Sequence, residues 1–117
     1  MDKQLLQKVG IDTDDAIQRF MDRDALFEKF LMKFLNDTNM SALQKAIAEH
    51  QEEQATFHAH TLKGVCGNLS IRPLYDLFQR QVDLFRQHKW EEAVALMPEI
   101  ESIYQQTINA IKQSCEG

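Results

Sequence analysis

The chain has 117 residues, 44% of them hydrophobic and 26% charged, enough for one domain over residues 1–117 that needs neither disulfide nor metal to hold its core. A formal net charge of -5 excludes a nucleic-acid binder, which requires a concentrated basic surface. No apolar run approaches the roughly 20 residues that span a bilayer, and Met1-Asp2-Lys3-Gln4 lacks the basic and then apolar order of a secretory signal, so a cytoplasmic domain without membrane contact is expected.

The two cysteines, Cys66 and Cys115, form no Cys-x-x-Cys pattern, which leaves no disulfide framework or zinc site and suits a reducing compartment. Four glycines and two prolines are few for this length, and the recurring Leu, Ala, Gln, Glu, Lys and Met favour helices. Lys3 to Val9 reads as a short helix ended by Gly10. Asp12, Thr13 and Asp14 are N-cap candidates for a second short helix reaching about Phe20.

Asp22 and Asp24 open the clearest amphipathic helix, in which Leu26, Phe27, Phe30, Leu31, Phe34 and Leu35 recur at three- and four-residue steps up to Asn36. Asp37, Thr38 and Asn39 break it and cap another, Ser41 to about His50. Gln51 to Leu69 is a central helix ending near Ser70. Pro73 suits the first turn of the next, which carries Leu74, Leu77, Phe78, Gln81, Val82 and Phe85 to about Gln87. His88 and Lys89 form a turn, Trp90 anchors the start of the last segment, and Pro98 predicts a kink or break inside it. Short links between long helices predict an all-α fold, an antiparallel four-helix bundle with one or two short N-terminal helices.

The central helix carries the functional signal. At about 100° per residue, with His60 as origin, Lys63 falls at about -60°, Gly64 at about 40°, Gly67 at about -20° and Ile71 at about 20°, all on one stripe. His58, Leu62, Val65 and Leu69 fall at roughly 140° to 200°, on the side expected to face the core. Two helical histidines share a metal at i, i+4 spacing, so His58 and His60 do not chelate together. A neutral imidazole is a competent nucleophile, and phosphoryl transfer gains from nearby positive charge, which Lys63 can supply. An isolated lysine would simply be solvated; here it stands beside His60 and Gly64. A helical glycine costs about 1 kcal/mol against alanine, so Gly64 is expected to clear space around His60, while Gly67 either does the same or permits close helix packing. His50 and His88 fall at helix ends, where contact with terminal carbonyls or water is expected. Gln79 or Gln81 on the following helix is placed to orient the His60 ring.

His60-Thr61-Leu62-Lys63-Gly64, with Asn68-Leu69 and the helix containing Leu74 and Leu77, resembles the histidine-containing phosphotransfer (HPt) domains of multistep phosphorelays. The Gly10-Ile11-Asp12 start, the Phe-rich helix from Asp22 to Asn36 and the Trp90-Glu91-Glu92-Ala93 segment running into Pro98-Glu99-Ile100 extend the resemblance over nearly the whole chain. It implies a bundle that accepts a phosphoryl group on His60 from a receiver-domain aspartate and passes it to another receiver, with Lys63 steadying the phosphoryl oxygens and Gly64 giving access. Such a carrier has no nucleotide site, no cofactor of its own and no kinase activity; Mg²⁺ comes with the receiver domain. The partners are receiver domains of response regulators or hybrid kinases, and the carrier is expected to be a monomer. Ile17, Met21, Phe57 and Gly67 are the expected docking residues. Ser70 departs from the family, which usually has glycine there. Two other readings stay open: a docking module that is never phosphorylated, and a substrate segment of an ATP-dependent histidine kinase.

Overall fold

The computed structural model describes residues 1–116. Its eight helices are α1 (Lys3–Lys8), α2 (Thr13–Arg19), α3 (Asp24–Phe34), α4 (Asn39–Ala48), α5 (Glu52–Asn68), α6 (Arg72–Arg86), α7 (Trp90–Ala95) and α8 (Met97–Glu116). The first two are capped as their sequences dictate. Asp2 accepts the Leu5 amide at 3.1 Å and Asp12 accepts the Asp15 amide at 3.1 Å, each filling one of the donors a helix start leaves open. Helix α4 begins two residues ahead of Ser41 because Asp37 takes up the Asn39 amide at 2.7 Å.

Four long segments make the bundle: α3 with α4, α5, α6, and α7 with α8. Helix α5 packs between α4 and α6, while α8 packs on α6 and α3. Pro98 stands at the second position of α8, where its missing N–H is not needed, and the break it predicts is confined to Leu96, between α7 and α8. Phe27, Leu31, Leu62, Phe78, Phe85 and Ile111 are fully enclosed in the core, each contributing about 1.5–3 kcal/mol by leaving water. Helix α1 closes one end against α8, where Ser114 Oγ accepts the Asp2 amide at 2.7 Å and donates to the Asp2 carbonyl at 3.1 Å.

The turns share one device. After α4, α5 and α6 the chain passes through a left-handed residue, His50 (φ 53°), Ser70 (φ 54°) and His88 (φ 58°), and the next amide folds back on the helix: Gln51 N to Ala46 O at 2.8 Å, Ile71 N to Cys66 O at 2.9 Å and Lys89 N to Leu84 O at 2.9 Å. These bonds satisfy carbonyls at helix ends. Gly10 does the same after α1 at φ 88°. The two turn histidines meet side chains of other elements: His50 stacks on Trp90 at 4.1 Å, and His88 Nδ1 lies 2.7 Å from Glu52 Oε1. Trp90 also packs on Phe85, the anchoring role expected of it.

Candidate functional site

Ala55, Ala59, Leu62 and Cys66 form the buried stripe of α5. The core-facing direction is therefore rotated toward Ala59 and Cys66 from the one the sequence wheel predicts, and His58 and Val65 fall at its border, partly exposed. His58 does not enter the bundle interior. Its Nδ1 lies 2.9 Å from Asn39 Oδ1, and Asn39 Nδ2 donates to Asp37 Oδ1 at 2.9 Å. With the amide so oriented, its oxygen must accept, so His58 Nδ1 carries the proton. This histidine is a strut between α4 and α5.

His60 is exposed, and neither ring nitrogen has a hydrogen-bond partner among the described residues. Lys63, half-buried, likewise makes no ion pair there. A methyl group built on Gly64 would meet nothing within 4 Å, whereas one on Gly67 would lie 3.2 Å from the Tyr75 ring. The two glycines thus do different things: Gly64 leaves open surface beside His60, and Gly67 makes room for Tyr75 of α6. The wheel fails at Ile71, which lies beyond the end of α5 and is fully buried, bridged to Ile11. It is not part of the His60 stripe.

Neither glutamine orients His60. Gln79 Nε2 donates to Asp83 at 3.1 Å; Gln81 is fully buried, its Nε2 donating to the Ala93 carbonyl at 3.1 Å and Met97 Sδ at 3.2 Å. Of the expected docking residues, Met21 is 75% and Phe57 63% exposed, while Ile17, at 8%, is a core residue. Phe57 sits one turn before His60 on the same side of α5.

Two cavities flank this side. One, of about 440 Å³, is lined by Lys63, Gly64, Gly67, Tyr75, Asp76 and their neighbours; the other, of about 660 Å³, is a ring-walled groove formed by Phe20, Phe30, Phe34, Val65 and Leu69. Arg19 and Asn68 border both. Below them Ser70, buried and left-handed, donates its hydroxyl to Asp15 Oδ2 at 2.6 Å, and Arg19 Nε donates to the same oxygen at 2.9 Å. The Ser70 hydroxyl first, and then Arg19, hold the Asp15 carboxyl below its ordinary range. Ser70 thus has a partner that a glycine there could not have. Sequence reasoning missed Arg19 and Tyr75, although Asp15 and Arg19 already stood at the i, i+4 spacing of a helical ion pair.

The antiparallel helical bundle thus presents, at the middle of α5, an imidazole unengaged among the described residues, with a lysine one turn on and open surface beside it. The Hpt domain family model matches residues 29–110, more than half of the chain, and the chain belongs to that family; no curated relative and no solved structure matches it. Its role is phosphotransfer in two-component signalling, and Hpt domains are carriers rather than catalysts. The match begins within α3, so Gly10-Ile11-Asp12, α1 and α2 lie outside it. Among the described residues no group of three or more His, Cys, Asp or Glu side chains could hold a metal ion, and no helix is long and apolar enough to cross a membrane.

Proposed function

We propose that residues 1–117 act as one monomeric phosphorelay carrier in the cytoplasm, with His60 as its phosphorylated residue. The unprotonated nitrogen of the His60 imidazole attacks the phosphorus of a receiver-domain acyl phosphate. The N–P bond forms as the bond from phosphorus to the aspartate oxygen breaks, and the carboxylate leaves with the bonding pair. A second receiver's aspartate reverses the step and takes the group onward. Lys63, close to His60 and without an ion pair among the described residues, offsets charge on the phosphoryl oxygens during transfer. Gly64 leaves the receiver room to approach, and Met21 and Phe57 offer it apolar surface. Gly67 contributes by seating Tyr75. Mg²⁺ and the acidic residues that bind it belong to the receiver; the carrier brings neither cofactor nor nucleotide.

The observation that supports this reading is the contrast between the two histidines: His58 is committed to Asn39, while His60 is exposed with both nitrogens uncommitted among the described residues. The test is label transfer from a phosphorylated receiver domain. His60→Gln is expected to take up no label, and His58→Gln to be labelled like the wild type. Label on His60→Gln, or its loss in His58→Gln alone, would overturn the assignment.

A further inference from the structure

Helix α2 precedes the region matched by the family, yet its last residue, Arg19, stands where the two cavities beside α5 meet. On one side are Lys63, Gly64 and Tyr75; on the other is the groove walled by phenylalanines. The Arg19 side chain is 53% exposed, and only its Nε is committed, to Asp15. Its two Nη groups have no partner among the described residues.

An exposed i, i+4 pair alone would hold the guanidinium loosely. Here the accepting oxygen is tied down from the other side by the buried Ser70 hydroxyl at the end of α5. The anchor of Arg19 is thereby fixed to the helix that carries His60. Arg72, the other nearby cation, is already paired with Asp12 at 3.2 Å and lies 3.5 Å from Asp15. Of the other cations around the two cavities, Lys33 stands over the Phe30 ring at 4.8 Å, and Asp37 and Asp76 are the acids of the lining; Lys63 and the Nη groups of Arg19 have neither ion pair nor ring contact among the described residues, on a chain whose net charge is -5. An acidic partner is repelled by the chain as a whole and attracted here, and a guanidinium fork fits a carboxylate with two parallel bonds.

Resting on the phosphotransfer reading above, we propose that Arg19 is a docking and specificity residue: its Nη groups receive a carboxylate on the surface of the receiver domain as that domain brings its phosphoaspartate to His60. Asp15 and Ser70 are the residues that position it. Receivers without a carboxylate at that point dock more weakly, so an element outside the family region helps choose the partner.

The test measures transfer to the full chain from receiver domains charged with acetyl phosphate, using the receiver that labels the wild type fastest. Arg19→Ala should raise the half-saturating receiver concentration about tenfold, the effect of losing one charge-assisted bond, while the rate at saturation changes far less. Arg19→Lys should restore part of the loss. Arg19→Glu should exceed it and flatten the dependence of docking on salt. Ser70→Gly, in a backbone conformation glycine accepts readily, should shift the half-saturating concentration the same way by a smaller factor. An Arg19→Ala chain with wild-type half-saturation and wild-type salt dependence overturns the proposal, as does a loss confined to the saturated rate. Unchanged docking by Ser70→Gly overturns the positioning role. His60→Gln, run in parallel, separates the two claims: if it is labelled, the phosphotransfer site is wrong; if it is silent while Arg19→Ala docks normally, only the role of Arg19 falls.

Discussion

Replacing Gly64 by alanine should separate folding from function at a single methyl group. Gly64 lies inside α5 with a helical backbone, so alanine removes the glycine penalty of about 1 kcal/mol. Nothing within 4 Å opposes the added carbon, so no packing cost offsets that gain. For a domain of this size 1 kcal/mol corresponds to a rise in Tm of about 4 °C or slightly more. Transfer should move the other way. The methyl stands one turn beyond His60 on the surface the receiver must cross, and reacting atoms need to come within about 3–3.5 Å, where a displacement of about 1 Å costs on the order of 100-fold. Gly64→Ala should therefore be more stable in a thermal melt and slower by about 10- to 100-fold in transfer from a phosphorylated receiver. A lowered Tm would refute the open surface at Gly64. A raised Tm with unchanged transfer would refute the idea that clearance is why glycine stands there. The other glycines supply controls. Gly67→Ala should stabilise less, since its methyl lies 3.2–3.3 Å from the Tyr75 ring. Gly10→Ala should destabilise, because φ is 88° and the Pro73 ring occupies the space.

His58→Gln should cost up to about 1 kcal/mol, the worth of the hydrogen bond to Asn39, in denaturant unfolding; a much larger loss would mean that His58 is a core residue after all. Gln81→Glu should lower stability by about 3 kcal/mol or more, since it buries a carboxylate against the Ala93 carbonyl without a partner, and a change below about 1 kcal/mol would refute the enclosure of that site. Asp15 gives a pH signature. Its folded pKa is depressed, so its stabilising contribution is complete above its unfolded pKa and is lost as pH falls through the folded value. The Tm gap between the wild type and Asp15→Asn should thus close as pH drops below the ordinary carboxylate range; a gap that widens there would refute the Ser70–Asp15–Arg19 arrangement.

Helix positions were legible in the sequence because apolar spacing and the cap candidate at Asp12 are local signals; the cap at Asp2 is equally local but was not read. The break before Pro98 was legible for the same reason: a missing N–H acts wherever the proline stands. The histidine distinction was half legible. A wheel shows that residues 58 and 60 point apart, but the true core direction depends on which neighbours α5 packs against, and the alanines at 55 and 59 were silent until α4 and α6 were in place. The wheel went wrong at Ile71 because it ran past Asn68, where the left-handed Ser70 ends the helical count. The glutamines were misread for a related reason: Gln81 satisfies a carbonyl in α7, a partner 12 residues away that no periodicity reveals.

The Asp15–Ser70 contact was the least legible feature and organises the most. Serine at a left-handed position reads as a defect when the backbone alone is considered, since leaving glycine costs about 1 kcal/mol or more there. Its hydroxyl, however, is aimed by that same backbone conformation at a carboxylate 55 residues earlier in the chain. The bond links the turn after the His60 helix to α2, outside the region shared with the family. The helix that carries His60 lies inside the matched region, and Ser70, just beyond its end, ties to it a helix that lies outside. Under the roles proposed for His60 and Arg19, transfer and partner choice sit on two helices tied by this bond, so a change at Arg19 alters docking without touching the imidazole.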